Sequence, residues 1–290
     1  MVICHPSSGE TIVSAHSVFQ IRDDETLQRF RARFAIPHDP AQDRDKCLET
    51  LCRAFARIPF ENLSKIVKAA ETGSAARRKR LPDDVLRDFL QYGTGGTCFS
   101  LNAAFIAVLR HAGVRAYPML CDRRYGADTH AAVLIRKGRQ LFLVDPGFLI
   151  FAPQPLAQDV SVQWDNGFNT LELIPGPAGR LELYTIRNGQ RTYRLTYKLD
   201  ITDEAAFVRA WEESFTFAMM AYPVVTFCRG RTHYYLQDDT LRVRSPDGLI
   251  KKILTPDEQA RFVTTRAAID ADIFRQVRPL TSGGTHERMT

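Results

Sequence analysis

The sequence has no apolar run long enough to cross a membrane, no CxxC pair and no internal repeat. A membrane helix needs about 20 consecutive apolar residues, so no membrane association is expected. The first residues, MVICHPSSGETIVSAHSVFQ, lack a basic segment followed by an apolar core, and no signal peptide is expected. The six cysteines (Cys4, Cys47, Cys52, Cys98, Cys121, Cys228) are dispersed. That spacing suggests neither a zinc site nor a disulfide framework, and it fits a reducing, cytoplasmic compartment. Charge of one sign does not dominate. The net +6 suits a phosphate-bearing cosubstrate or an acidic partner and gives no reason to expect nucleic acid. The one dense basic run, RRKR at 77–80, reads as a solvated loop, with a phosphate contact as the sharper alternative.

What is present is ordinary for a globular chain: 290 residues, 44% hydrophobic and 25% charged, enough for two or three subdomains. Helical spacing marks 24–34, 43–57 and 82–92. Residues 58–66 read as an extended segment and a turn, and 67–80 as a mobile polar connection. After a further helix ending near His111 the pattern shifts to strands at 114–120, 130–136, 139–145, 170–174, 180–186 and 191–198. A helix returns at 202–213. Strands near 224–228, 233–236 and 249–254 follow, then a helix at 256–274, and 280–290 reads as unstructured. Thr255-Pro256-Asp257-Glu258 is a strong helix start.

The chain is organised around TGGTCFSLN at 94–102. Gly95 and Gly96 permit a sharp turn with positive φ. Leu101, Ala104, Phe105, Val108 and Leu109 then recur at helical spacing, so Cys98 falls in the first turn of a buried helix. Unpaired N–H groups and the helix dipole there favour a thiolate. Two readings stand: an activated nucleophile, or a buried structural cysteine.

A second signal is the hairpin HAAVLIRKGRQLFLVD at 130–145. A two-residue turn at Lys137-Gly138, or a four-residue turn over 136–139, places His130 directly opposite Asp145 on one sheet face. Cβ atoms so paired lie roughly 4.5–5.5 Å apart. A three-residue turn would break the pairing. A carboxylate on one imidazole nitrogen fixes the tautomer and leaves the other free to take a proton from a thiol. The alternative is an exposed His130 and a turn-making Asp145 before Pro146-Gly147. Of the remaining histidines, His5, His16, His38 and His286 lie in polar or terminal stretches. His111 ends a helix and His233 reads as a strand residue.

Taken in order, IPFENLSKI (58–66), GGTCFSLN (95–102), DTH (128–130), LVDPGF (143–148) and the segment 215–236 resemble the motifs of the arylamine N-acetyltransferase family. The resemblance implies an α+β fold of three subdomains: an N-terminal helical bundle over 1–93, a catalytic helix and antiparallel β-barrel over 94–200, and a C-terminal α/β lid over 201–290. It implies a ping-pong reaction. Cys98 takes an acyl group from a thioester, of coenzyme A or of an acyl carrier protein, and passes it to a small-molecule amine. His130 moves protons, Asp145 orients His130, and no metal or bound cofactor takes part. Phe60 and Phe148 could line the acceptor pocket or simply pack in the core.

The chain departs from the family pattern around the nucleophile. Thr94 stands where an arginine is usual, Thr97 where an aromatic is common, and Ser100 where a glutamate is usual. Pro146 and Leu149 replace a small or branched residue and a glycine. These departures bear on donor and acceptor more than on the nucleophile. Two neighbouring chemistries stay open: an amide synthase of a biosynthetic pathway, and a hydrolase or transglutaminase-like enzyme with the same three residues.

Overall fold

The computed structural model describes residues 17–37, 44–157 and 159–281. Cys4, His5, His16, His38, Pro40 and His286 lie outside the described residues, as does 282–290 of the tail. Leu280 and Thr281 close the last helix.

The N-terminal part is helical: α1 (Asp24–Arg33), α2 (Arg44–Phe55), α3 (Leu63–Glu71), α4 (Ala75–Arg78), α5 (Pro82–Tyr92) and α6 (Cys98–His111). Asp23 caps α1 by accepting from the Thr26 N–H, and Pro82 opens α5. Phe30 of α1 packs edge-on against Phe55 and Phe89, with ring centres 5.6 and 6.3 Å away. Helix α6 is buried from Cys98 through Leu109, mostly apolar with Ser100 and Asn102 as buried polar exceptions, and runs through the main core.

Strands β2 (Arg115–Arg123), β3 (Gly126–Lys137), β4 (Gln140–Asp145), β5 (Ile150–Pro155), β6 (Val162–Asp165), β7 (Thr170–Pro175), β8 (Arg180–Arg187) and β9 (Gln190–Lys198) make one antiparallel sheet in the order β5-β4-β3-β2-β9-β8-β7-β6. It curls until Met119, Leu143, Leu171, Leu183 and Tyr197 share one core. The sheet is open rather than a closed barrel, because β5 and β6 stay at its two edges. Beyond α7 (Glu204–Glu213), the strands β10 (Val224–Arg229), β11 (Thr232–Gln237), β12 (Thr240–Ser245) and β13 (Gly248–Ile253) join β1 (Phe60–Glu61) in a second sheet, ordered β1-β10-β11-β12-β13. Helices α8 (Pro256–Thr265) and α9 (Ala271–Thr281) cover it together with α3. Residues 60–71 thus give an edge strand and a covering helix to a sheet formed by the other end of the chain. Among the described residues no helix is long and apolar enough to cross a membrane.

Several sequence expectations need correction. The segment 67–80 is not a mobile connection: it carries the end of α3 and all of α4, and Lys79 and Arg80 are buried. The RRKR run is therefore not a solvated loop. The single helix expected over 256–274 is two. The chain breaks at 266–270, where Ala268 takes φ 59° and the Asp270 N–H donates to the Tyr92 carbonyl at 2.8 Å. No glycine or proline marks that break, so tertiary contact alone sets it. Strands β5, β6 and β12 were not legible. β5 contains Pro153 and Pro155, which argue against a strand, but an edge position tolerates them.

Candidate active site

The loop between α5 and α6 is laced to the strand that precedes α3. The Glu61 N–H donates to the Gly96 carbonyl at 3.0 Å, and the Gly95 N–H returns a bond to Glu61 Oε1 at 3.1 Å. Neither Gly95 nor Gly96 has positive φ, contrary to expectation. They are glycines because of close approach: a Cβ on Gly95 would lie 1.8 Å from the Pro59 carbonyl oxygen, and one on Gly96 would lie 2.2 Å from Ser100 Oγ.

A guanidinium locks this crossing. Arg80, 3% exposed, donates through Nη1 to Ser64 Oγ and the Gly95 carbonyl, and through Nη2 to Asp88 at 3.0 Å and Thr94 Oγ1 at 3.4 Å. Its Nη1 also stands 3.7 Å from the fully buried Glu61 carboxylate. Where Thr94 precedes the paired glycines, an arginine from the end of the basic run supplies the charge instead. Sequence spacing could not assign that partner, because Glu61 and Arg80 meet only once α3 has doubled back.

Cys98 opens α6 and is 8% exposed, with Thr97 at the cap position. Ser100 Oγ donates to the Thr97 carbonyl at 3.1 Å. His130 on β3 and Asp145 at the end of β4 are 1% and 0% exposed, and His130 Nε2 lies 2.8 Å from Asp145 Oδ2. The two residues are not directly opposed as expected. The hairpin pairs Lys137 with Gln140 and Val133 with Val144, so its turn is Gly138-Arg139 and the register slips by two residues. A slip of two keeps the sheet face, because side chains alternate with period two. His130 and Asp145 therefore meet as diagonal neighbours.

Asp145 accepts two further bonds, from the Tyr197 hydroxyl at 2.9 Å and from the Phe148 N–H at 2.9 Å. Burial pushes the Cys98 thiol up. The charge and hydrogen bond of His130, the Arg123 guanidinium and the Ala131 N–H outweigh it, and the thiol ends below its ordinary range. Burial pushes His130 toward the neutral ring, yet the Asp145 carboxylate and Cys98 outweigh burial and the Arg123 charge and raise it. A proton thus moves from sulfur to ring more easily than between free side chains.

Arg123 was missed by the sequence reading. It ends β2, and its Nη2 lies 3.1 Å from His130 Nδ1. The pairing of Cys121 with His130 across β2 and β3 puts Arg123 on the His130 face, and the doublet Arg123-Arg124 before a tight turn was its one signal. Phe60 is buried in the main core, and Phe148 is half-buried against the core enclosed by the curled sheet. A cavity of about 400 Å³, lined in part by Arg57, Leu149, Phe151, Trp164 and Phe168, includes neither of these aromatics and none of Cys98, His130 and Asp145. Among the described residues no three His, Cys, Asp or Glu side chains group as metal ligands.

The family model described as N-acetyltransferase matches residues 46–272. The chain belongs to this family. It is an N-acetyltransferase of the arylamine N-acetyltransferase type. No curated protein matches the sequence. Solved structures share the fold at low identity. The arylamine N-acetyltransferase of Mycobacterium abscessus superposes with a TM-score of 0.76 at 20% identity, covering 90% of this chain and 96% of that one. The Mycobacterium marinum enzyme in complex with CoA gives 0.69 at 18%, covering 88% and 98%. A Bacillus cereus enzyme described with a Cys-His-Glu catalytic triad gives 0.65 at 18%, covering 85% and 99%.

Two variants test how the site is held in this N-acetyltransferase. A Cβ on Gly147 would stand 2.7 Å from His130 Cε1 and 2.8 Å from Cys98 Cβ. Gly147→Ala must push ring and thiol apart, so thiol alkylation at neutral pH should slow at least tenfold while circular dichroism stays that of the wild type. Arg80→Met leaves Glu61 buried without its cation. Breaking a buried pair costs about 3–5 kcal/mol, so urea unfolding should show a loss of that order.

Proposed function

We propose that this enzyme moves an acyl group from a thioester to an amine in two half-reactions on Cys98. The observation that carries the reading is a buried imidazole held at 2.8 Å by Asp145 with the lowered thiol of Cys98 beside it. A CoA thioester is the donor we favour, since a relative of the same fold binds CoA; an arylamine or related nitrogen is the acceptor.

The residues divide the work as follows. His130 takes the Cys98 proton, and the thiolate attacks the thioester carbonyl. The new C–S bond forms, the donor C–S bond breaks, and the departing thiolate collects the proton from the imidazolium. The amine then attacks the acyl-enzyme. His130 removes the amine proton as the C–N bond forms, and Cys98 leaves as thiolate. Asp145 keeps Nε2 of the ring protonated throughout, so only Nδ1 exchanges. The Cys98 backbone N–H, at the open first turn of α6, is a donor for the tetrahedral oxyanion. Thioester exchange is near thermoneutral, and formation of the stable amide drives the second step.

Incubation with acetyl-CoA should add one acetyl mass to Cys98, an arylamine should discharge it as amide, and Cys98→Ser should show neither event. Labelling of another cysteine, or free acid that does not give way to amide as amine is raised, contradicts the scheme. The pH profile is a second check. A lowered thiol and a raised imidazole define a window in which the ion pair exists, lost on the acid side as Cys98 is protonated and on the alkaline side as His130 deprotonates. Iodoacetamide alkylation of Cys98 should titrate below the ~8.5 of a free cysteine, and Asp145→Asn should move that midpoint up. A wild-type midpoint at or above the free value contradicts the pairing.

A further inference from the structure

We propose that the acyl group carried by this enzyme ends in a carboxylate, received by Arg123 with Arg194 and Arg244 at the mouth of the site. The inference rests on the reading of Cys98 as the acylated residue and goes on to name the class of acyl group.

Arg123 is half-buried, and its Nη2 touches the nitrogen of His130 that faces away from Asp145. Its Nε–H is shut off from solvent and has no partner, and the same holds for Nε–H of the half-buried Arg244. Arg123 pairs across the sheet with Leu195, next to Arg194. A bulge in β9 skips Arg194, and its Nε donates inward to Thr185 Oγ1 at 2.8 Å, on the inner face of the curled sheet. Arg244 comes from β12 of the second sheet, where Nη1 donates to Asn169 Oδ1 at 2.7 Å. None of the three guanidinium groups has a carboxylate within ion-pair distance among the described residues. Arg194 lies within electrostatic reach of Arg244, Arg123 and Arg124. Unused donors in a half-buried place are costly unless a ligand completes them.

Position relative to the chemistry selects the ligand. Arg123 reaches the ring nitrogen that must exchange protons, so its anion lies a few bonds from the reacting carbonyl. Phosphates of a long carrier lie many bonds farther off. In the acyl-enzyme, where Cys98 carries no charge and the ring is neutral, Arg123 donates to Nδ1 and masks the base. A carboxylate makes a stronger, charge-assisted partner than a neutral ring nitrogen, draws the guanidinium off Nδ1 and frees it for the amine proton. The acyl chain is the better source than the acceptor, because it is present from the first half-reaction and can serve both. The product is then an amide bearing a free carboxylate.

The test uses the full chain and N-acetylcysteamine thioesters, which carry no phosphate. Acylation of Cys98 is followed by intact mass with succinyl, glutaryl, acetyl, butyryl and pentanoyl donors, and discharge by aniline is timed for each acyl-enzyme. A charge-assisted hydrogen bond corresponds to about tenfold to a hundredfold. The carboxylated donors should therefore lead butyryl by at least tenfold in acylation, and their acyl-enzymes should discharge faster. Arg194→Gln and Arg244→Gln should each shrink the lead. Arg123→Gln should abolish it, and Arg123→Lys should restore part of it. Equal rates for succinyl and butyryl overturn the inference while leaving acyl transfer on Cys98 intact. So does a lead that survives all three glutamine variants, or a preference for a carboxylated amine with the acetyl donor instead. Absence of any mass gain with every thioester, CoA esters included, removes the underlying function and the inference together.

Discussion

A carboxylate with no access to solvent, Asp145, dictates much of the architecture. Burying an ionised group is costly unless hydrogen bonds replace the lost water. Asp145 has three such bonds, and each comes from a different place: the His130 ring on β3, the Tyr197 hydroxyl on β9, and the Phe148 N–H in the turn that follows β4. In a flat sheet β9 would be three strands away from β4. The curl of the eight-stranded sheet brings Tyr197 to the carboxylate, and one curved surface thereby holds both a hydrophobic core and the His130–Asp145 pair.

The turn that carries Cys98 is held by a second buried charge set. Glu61, Arg80 and the Gly95 and Gly96 backbone tie the start of α6 to β1, and β1 pairs in turn with β10 of the second sheet. The bond network thus joins three regions distant in sequence at the one turn where Cys98 sits. Both close approaches in that turn exclude a side chain at Gly95 and Gly96. The glycines serve packing, not backbone sign. Arg123 adds a positive charge on the far side of the sulfur and ring, so Cys98 lies among a helix N-terminus, an imidazole and a guanidinium.

Much of this was readable in the chain. Cys98 at the head of a buried helix, and His130 and Asp145 on one sheet face, followed from period and spacing. The detail of the hairpin did not, because side-chain alternation repeats every two residues: a register wrong by two still puts the right residues on the right face. The basic run was misread for a different reason. Arg77 and Arg78 lie on a short helix, but Arg80 has a buried acid waiting for it. No local rule distinguishes a solvated arginine from one that will meet a carboxylate 19 residues upstream. Arg123 was missed on the same account, since its partner is the ring of His130 across a turn.

The sequence by itself determined that Cys98 heads a buried helix, that His130 and Asp145 share a sheet face, and most of the order of helix and strand, because turn chemistry and hydrophobic period act within a few residues. Tertiary structure alone decided which charges are buried together, where α8 ends without a breaking residue, and which arginine stands beside the His130 ring. Those outcomes depend on pairs far apart along the chain, and their energies exist only when folding removes the water between them.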